Sequence, residues 1–281
     1  HGGSGNAPCP VCQPDGRRDQ RALAVSDSAG KLLMHCHRSG CDFRDILAAL
    51  EGRGLPLTVT SPEPMRAALQ VEAELRERRT AQARRLWAET VPAESTLVER
   101  YLRARRIKGP IPPSIRFAPD CWHASAVRAP AMVAAVMLDG FDEPVAVHRT
   151  YLAEPGRKAG FAPNKAMLGP VRGGAVRLSD GAGPIVVVEG IETGLSLAQY
   201  LALDRPRVWA ALSASGVAGL RLPPDVDEVV PAPDGDDAGI DAAHKLGLRA
   251  SRLGWRVRIM PPPGDGLDWN DWAMGASHEA A

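Results

Sequence analysis

Four carboxylates in the last third of the chain stand where short apolar runs end, and their spacing suits the binding of divalent cations. Glu189 follows a valine-rich run, and Asp234 and Asp236 follow a second run. Asp268 follows a third. Carboxylates crowded together repel each other unless a cation neutralises them. Magnesium and manganese prefer oxygen ligands and keep positions open for phosphate. We therefore predict that these four residues hold catalytic Mg²⁺ or Mn²⁺.

Some of these carboxylates also have a less specific interpretation. Asp234 and Asp236 are separated by Gly235, so that in an extended turn both can face one ion. The same pair could instead form an Asx-type turn that caps the following helix. Glu189 could be a solvated loop carboxylate, although its place after an apolar strand favours a position in a ligand-binding crevice.

The apolar runs that carry these residues alternate with helical patterns. The predicted strands are 184–188, 207–212, 227–232 and 255–260, and the predicted helices are 191–203 and 238–253. Strands that alternate with helices indicate right-handed βαβ units and a parallel sheet. Because the carboxyl ends of parallel strands meet at one edge, an α/β fold of this kind would bring the carboxylates together.

Four of the five cysteines form two close pairs near the start of the chain, Cys9 with Cys12 and Cys36 with Cys41. The pairs flank a predicted β-hairpin over 22–35. Two knuckles at opposite ends of a hairpin bring four sulfurs into a tetrahedron, which is the geometry of a structural zinc ribbon. Soft thiolates bind zinc tightly. We therefore predict a structural zinc site.

The fourth ligand of this zinc stays open. Cys36 and Cys41 have four residues between them, a longer gap than that of the usual knuckle. His35, His37 or His1 could therefore replace one sulfur. The alternative to a metal site is a set of unligated buried thiols. Close cysteine pairs indicate metal binding rather than disulfides, which leads us to expect a reducing, cytoplasmic location.

The charge balance and the absence of certain motifs narrow the function. The chain has 281 residues, with 34 Lys and Arg against 33 Asp and Glu, so no global charge bias indicates a polyanionic partner. No apolar run approaches the roughly 20 residues of a membrane span, and no secretory signal pattern opens the sequence. A G-x-x-x-x-G-K-S/T motif is absent, which excludes an ATP-driven motor of the P-loop type within it.

Between the cysteines and the βαβ pattern, the sequence predicts a linker, helices and a hairpin. The linker is 52–64, the helices are 65–89 and 94–105, and the strands are 131–138 and 145–152. A turn at Asp139 and Gly140 joins these strands, and a basic loop region follows them. The resulting organisation is a zinc ribbon at 1–50, a linker and helix at 51–92, a basic subdomain at 93–180 and a parallel-sheet domain at 181–281.

The acidic motifs resemble those of a known family. EGIET, PDGDDAG and GLDWND look like the Toprim metal site shared by primases, topoisomerases and some nucleases. The family's glutamate falls on Glu189 and its paired aspartates fall on Asp234 and Asp236. Its weaker third position falls on Asp268. The resemblance implies that these residues bind magnesium or manganese during catalysis.

The preceding segment resembles a second part of the same proteins. HRTYL and GRKAGFAPNKAMLGP are similar to the basic segment that precedes the Toprim fold in bacterial and phage primases. The family's lysine after a Pro-x step falls on Lys165, to which the resemblance gives a catalytic role. The neighbouring cations, for which it implies substrate binding, are Arg149, Arg157 and Lys158.

The order of zinc ribbon, linker, basic subdomain and Toprim domain is like that of phage-type and plasmid-type DNA primases over nearly the whole chain. The resemblance implies an α/β protein with an N-terminal zinc ribbon and a core that ends in a Rossmann-like parallel sheet. It also implies synthesis of short RNA primers from NTPs on a single-stranded DNA template, by metal-dependent nucleotidyl transfer during phage, plasmid or mobile-element replication. Since the sequence has no motor motif, a separate replicative helicase is the expected partner.

Two other functions are compatible with the same motifs. A Toprim-type nuclease would use the same carboxylates but would need neither NTPs nor the basic segment. It would usually need a further base or a nucleophilic tyrosine as well. A non-catalytic DNA-binding replication factor would carry a vestigial site, and the intact set of acidic residues argues against it.

Overall fold

The chain divides into two units, His1–Leu75 and Arg76–Ala281. The computed structural model describes residues 4–17, 19–28, 31–51, 62–201, 203, 205–224, 227–261 and 266–275. His1 and most of the predicted linker, 52–61, therefore lie outside the described residues. None of the described helices combines the length and the apolar character that a membrane span requires.

A three-stranded antiparallel sheet forms the frame of the first unit. Its elements are β1 (Ser4–Ala7), β2 (Leu23–Ser28), β3 (Lys31–Cys36) and helix α1 (Phe43–Glu51). Strands β2 and β3 are the predicted hairpin, in which Leu23 lies opposite Cys36. The core is small: its buried members are Cys9, Leu23, Cys36 and Ile46. A core of this size needs an additional staple to fold securely.

The second unit contains an antiparallel sheet and a mostly parallel sheet. The first part comprises the end of α2 (Pro62–Ala88), then β4 (Val91–Pro92), α3 (Leu97–Ala104), β5 (Ile115–Trp122), β6 (Arg128–Val136), β7 (Ala146–Ala153), β8 (Arg157–Lys158) and β9 (Lys165–Leu168). The second part comprises β10 (Val176–Arg177), β11 (Ile185–Val188), α4 (Ile191–Ala198), β12 (Arg207–Ala210), α5 (Ala214–Gly219), β13 (Glu228–Pro231), α6 (Asp237–Arg252), β14 (Arg256–Val257) and α7 (Trp269–Gly275).

The antiparallel sheet contains the predicted hairpin of β6 and β7, and it has further strands that were not predicted. Its order is β4-β5-β6-β7-β8, and β9 also pairs with β7. Strand β5 was missed because Pro119 interrupts its sequence. Its register shifts between Ala118 and Cys121, so the proline stands at an irregularity where no ladder hydrogen bond is needed.

Strand β7 is buried along its length and separates two groups of side chains. Because side chains alternate across a strand, His148 and Leu152 point to one face, whereas Arg149 and Tyr151 point to the other. Leu152 packs into the cluster that contains Tyr101, and Tyr151 packs into a different cluster. Residues that are neighbours in the sequence of β7 therefore belong to different environments.

The parallel sheet has the predicted arrangement around β11. Its order is β10-β12-β11-β13-β14, with β12 and β13 parallel to β11, and β14 parallel to β13. All four residues of β11 are buried, as expected of an apolar strand covered on both faces. The carboxyl ends of β11, β13 and β14 consequently lie at one edge. Strand β14 is shorter than predicted, although Met260 N–H still donates to the carbonyl of Pro231 at 2.8 Å.

Candidate metal centres and cation cluster

Glu189 and Asp234 follow adjacent parallel strands, β11 and β13. Asp236 comes two residues after Asp234, and Asp268 lies directly before helix α7. Burial, together with the negative charges of Glu189, Asp268 and Asp236, raises the pKa of Asp234 to about 7. The structure thus brings the four acidic residues into one electrostatic neighbourhood at the edge of the sheet.

Glu189 lies between negative and positive groups. Burial and the charge of Asp236 raise its pKa, whereas the backbone N–H of Ala214 and the charge of Lys165 act in the opposite direction. Its side chain is half-buried at the end of β11. This environment differs from that of a solvated loop carboxylate, and it places Glu189 where aspartates and a lysine meet.

Asp236 also has the capping role that was considered as the alternative. Its Oδ1 accepts a hydrogen bond from the N–H of Gly239 at 2.7 Å, so that Asp236 is the N-cap of helix α6. A Cβ on Gly239 would lie 2.8 Å from the backbone oxygen of Asp234, so glycine is needed for the helix to start this close to the strand. The cap uses one oxygen of the Asp236 carboxylate and keeps the two aspartates together.

Backbone hydrogen bonds bring Asp268 to this edge. Gly235, between the paired aspartates, donates its N–H to the carbonyl of Leu267 at 3.0 Å, and Gly266 donates to the carbonyl of Gly235 at 2.9 Å. Oδ1 of Asp268 accepts the N–H of Asp271 at 2.7 Å. The segment before α7 is therefore tied to the loop after β13.

The four paired cysteines come together in the first unit. The Sγ atoms of Cys9, Cys12, Cys36 and Cys41 lie within 4.8 Å of one another, and those of Cys12 and Cys36 are 3.5 Å apart. Gln13 supports the first knuckle, because its Oε1 accepts the N–H of Cys9 at 3.1 Å. Four thiol groups at this spacing fit a tetrahedral zinc ion.

In the longer second knuckle, the thiolate form is favoured at Cys36, whereas burial and the neighbouring thiols raise the pKa of Cys41 to about 12. Backbone N–H groups of Ser39, Cys41 and Arg38 donate to the sulfur of Cys36 and lower its pKa to about 5, although burial opposes this effect. His35 and His37 are exposed, and among the described residues no histidine joins the cysteine cluster. The structure therefore favours four cysteines as the ligand set.

Lys158 and Lys165 lie on the His148 face of β7. Lys158 pairs with Leu152 and Lys165 pairs with Thr150, and paired residues of neighbouring strands point to the same side. Burial and the nearby charge of Lys165 lower the pKa of Lys158. The two lysines therefore form a cation cluster, and Lys165 is also close enough to Glu189 to lower the pKa of that carboxyl.

Arg149 does not join this cation cluster. It is 7% exposed, and its Nη1 and Nη2 donate to the carbonyls of Trp122 at 3.1 Å and Met167 at 3.3 Å. The alternation of β7 turns it away from Lys165, a separation that the spacing of HRT in the sequence does not reveal. Arg157 pairs with Ala153 and is exposed, so it also faces away from the two lysines.

Comparison with known families agrees with the predicted domain that contains the parallel sheet. Residues 184–279 match the family model described as a Toprim domain. This segment is a Toprim domain. Residues 77–178 match a domain of unknown function, DUF7146, which precedes the Toprim domain in this chain. None of the curated proteins searched matches the chain.

Several solved structures are similar to the chain at low identity. A DNA primase domain from Pseudomonas aeruginosa is 16% identical, with 73% of this chain and 77% of that chain covered and a TM-score of 0.42. The primase fragment of the bacteriophage T7 primase-helicase protein is 14% identical, with 98% and 96% covered and a TM-score of 0.42. The Aquifex aeolicus primase, comprising zinc-binding and RNA polymerase domains, is 16% identical, with 96% and 76% covered and a TM-score of 0.39.

The acidic edge of the Toprim domain fits divalent metal. Oδ1 of Asp234 is buried and has no hydrogen-bond partner in the described part of the chain. An unsatisfied carboxylate oxygen among other carboxylates is costly, and a cation would relieve both the repulsion and the missing contact. Within the described residues, only the cysteines bring three or more ligand atoms within 4.8 Å. No three described carboxylates of this edge therefore lie that close together, a finding that does not extend to pairs of carboxylates.

Two polar residues of the Toprim domain were missed by sequence analysis. Glu192, the second glutamate of EGIET, is 6% exposed and is hydrogen-bonded to Tyr101. Asn270, in the DWND motif, is 2% exposed and donates to the carbonyl of Arg105 at 3.1 Å. Their partners are distant in sequence, so no local pattern identifies them. For Glu192 there was one signal in the sequence, namely a charged residue inside an apolar helical pattern.

The raised pKa of Asp234 predicts how the metal-free protein responds to pH. An unfolded aspartate ionises near pH 4, so the folded state retains this proton up to a higher pH and becomes less stable as the pH rises. We expect the melting temperature of protein dialysed free of Mg²⁺ and Mn²⁺, with zinc retained, to fall between about pH 4 and pH 7, the unfolded and folded pKa values of this carboxyl. The fall should be smaller in Asp234→Asn, which lacks the charge. Equal slopes for the two proteins would contradict the assignment, as would a Mg²⁺ response that is the same in both.

Proposed function

We propose that the chain is a DNA primase that joins nucleoside triphosphates into short RNA primers on single-stranded DNA, in the replication of a phage, plasmid or other mobile element. The observation that carries the proposal is the acidic edge of Glu189, Asp234 and Asp236 with Lys165 beside it. Nucleotidyl transfer requires oxygen ligands for divalent ions and cations for phosphate, and the acidic edge of the Toprim domain together with Lys165 from the preceding segment would supply both.

The residues divide the chemistry of primer synthesis among them. A 3′-hydroxyl attacks an α-phosphorus and pyrophosphate leaves. Divalent ions held by Asp234, Asp236 and Asp268 would neutralise phosphate charge and lower the pKa of the hydroxyl. Glu189 lies at the same edge, where it would either contact one of these ions or accept the proton of the hydroxyl.

The cation cluster binds the substrate phosphates in this proposal. Lys165 and Lys158 would donate hydrogen bonds to phosphate oxygens. These bonds are stronger than neutral ones because donor and acceptor carry opposite charges. The position of Lys165 near Glu189 puts the bound phosphate beside the acidic edge. Arg149, which is buried and bonded to backbone carbonyls, supports the sheet behind the lysines rather than the substrate.

The zinc unit would bind the single-stranded template. His35 and His37 are exposed, with ring centroids 4.7 Å apart, and the neighbouring Arg38 is exposed as well. Flat rings on which bases can stack, next to a cation for the phosphate, are a common combination in proteins that bind single strands.

The test is a primer-synthesis assay on random single-stranded templates, with labelled NTPs and either Mg²⁺ or Mn²⁺. We expect short RNA products whose sequences are complementary to the template. Supercoiled plasmid without NTPs is incubated in parallel, and it should stay intact. Nicked plasmid without RNA products would identify a nuclease. A protein that gives neither product and binds no Mn²⁺ at millimolar concentrations would be a non-catalytic DNA-binding factor.

A further inference from the structure

Glu192 is a buried carboxylate that the acidic edge does not use. Its Oε1 accepts a hydrogen bond from the Tyr101 hydroxyl at 2.7 Å, and its Oε2 lies 3.3 Å from Nζ of Lys165. Both partners belong to the segment 77–178, whereas Glu192 belongs to the Toprim domain. The side chain of Glu192 is only 8% exposed, and a charge this well buried must be compensated by its partners.

The charge of Glu192 is maintained by the cation cluster. Burial alone would raise the pKa of Glu192, but Lys165, the Tyr101 hydroxyl and Lys158 outweigh it and hold the pKa at about 2. The influence is mutual, because Glu192 opposes the lowering of the pKa of Lys158 by burial and by Lys165. Two neighbouring ammonium groups repel each other, and Glu192 is the carboxylate placed to offset that repulsion.

Glu189, at the acidic edge, is a second carboxylate that acts on Lys165, whereas the nearby histidine and arginine are neutral and cationic, respectively. Burial and the charge of Lys165 lower the pKa of His148 to about 4, so its imidazole is neutral at pH 7. Arg105 lies 5.1 Å from the centre of the Tyr101 ring and is a further cation. Nδ1 of His148 and Oγ1 of Thr150 are buried without a hydrogen-bond partner in the described structure. The lysine face of β7 is therefore rich in groups that can bind an anion.

We propose that Glu192 is a positioning residue, the buried counter-ion that holds Lys165 in place and balances the charge of the neighbouring Lys158, so that the two lysines can bind a phosphate beside the acidic edge. Glu192 acts through the lysines and touches neither metal nor nucleotide. The phosphate is that of the nucleoside triphosphate, and in this respect the inference rests on the proposed function. The interaction of Glu192 with the lysines does not depend on it.

The first experiment measures the lysines without any assay of activity. The full chain is treated with acetic anhydride near pH 8, and the acylation rate of each lysine is followed by mass spectrometry. In Glu192→Gln the nearby negative charge is lost and the amine of Lys158 becomes less protonated. We expect Lys158 to react about threefold faster or more, because a larger fraction of its amine is uncharged. An unchanged rate in a folded variant would overturn the proposal.

Two controls separate charge from packing. Lys245, which pairs with Asp241 at 2.6 Å on the exposed face of helix α6, should react at the same rate in all proteins. Tyr101→Phe removes the hydroxyl but keeps the carboxylate, so the rate of Lys158 should stay near that of the wild type. If Tyr101→Phe changes the rate as much as Glu192→Gln does, the contact is structural and the proposal fails. Should Glu192→Gln not fold, Glu192→Asp is used, because it keeps the charge but shortens its reach. The acylation rate of Lys158 must then rise above that of the wild type, but by less than about threefold, and an unchanged rate would overturn the proposal.

The second experiment uses primer synthesis and non-additivity. Glu192→Gln should raise KM for NTP by about tenfold with a smaller effect on kcat, because a charge-assisted contact to phosphate is weakened. In a Lys158→Ala, Lys165→Ala background the same substitution should change KM little, since its route of action is gone. If Glu192→Gln raised KM by the same factor in both backgrounds, Glu192 would act independently of the two lysines, and the proposal would fail. A wild-type protein that makes no primers would refute the proposed function, while the acylation result would still decide the role of Glu192.

Discussion

Replacement of Asp234 by alanine is expected to reduce primer synthesis by at least about a thousandfold, equivalent to about 4 kcal/mol of transition-state stabilisation. Asp234 lies where the charges of the acidic edge meet, and its Oδ1 has no protein partner in the described residues. Removing it would weaken the binding of the divalent ions that neutralise the phosphates. The measurement is template-dependent incorporation of labelled NTPs with Mg²⁺ and with Mn²⁺.

The same variant should remain folded, because the ionised Asp234 is repelled by its acidic neighbours and its removal relieves this repulsion. Asp241→Ala is the matched control: this exposed aspartate on helix α6 pairs with Lys245, and its loss should leave activity unchanged. Asp236 requires a subtler change, since alanine would also remove the helix cap. Asp236→Asn keeps a good capping residue and removes only the charge. Wild-type activity in Asp234→Ala would refute the metal-site assignment.

Loss of zinc is expected to unfold the first unit and leave the second unit folded. Among the described residues of the first unit, the core has only four buried members, two of which are cysteines. Structural zinc contributes about 10–16 kcal/mol of apparent binding free energy in small zinc domains, far more than a core of this size can replace. In Cys36→Ser, we expect the zinc content to fall well below one ion per chain. The backbone amides of strands β2 and β3 should also lose their protection from hydrogen exchange. Hydrogen exchange and metal analysis of the full chain measure both effects.

Cys121→Ser serves as the control for the loss of a thiol. Cys121 is buried in the second unit beside Tyr151, outside the cysteine cluster. The variant should keep its zinc and the protection of the first unit. Retained protection of β2 and β3 in zinc-free protein would mean that the hairpin folds on its own core, contrary to the expectation.

The sequence was informative where chemistry and secondary structure coincide locally. The valine run of β11 is apolar throughout because both of its faces are covered, and Glu189 stands out directly after it. The Asp234 and Asp236 pair is separated by one glycine, which indicates a turn that also serves as a cap. Each of these signals lies within a few residues, so the parallel sheet and its acidic edge could be predicted.

Features that depend on distant partners could not be predicted in this way. Arg149 and Lys165 were grouped because both are cations of one basic segment, but strand alternation sends Arg149 to the opposite face of the sheet. Glu192 is buried because Tyr101 and Lys165 fold against it, and neither is near it in sequence. Strand β5 could not be predicted because Pro119 lies within it. The irregularity that accommodates this proline is a property of the pairing with β6, which the sequence of β5 does not contain.

Strand β10 belongs to the segment that matches DUF7146, yet it forms the antiparallel edge of the Toprim sheet by pairing with β12. One hydrophobic cluster likewise contains Leu97 from the first segment and Val186 from the second. A Toprim fragment cut out at its family boundary would therefore lose an edge strand and uncover part of its interior. We therefore expect the two segments to unfold together in a single transition, although the family models divide them.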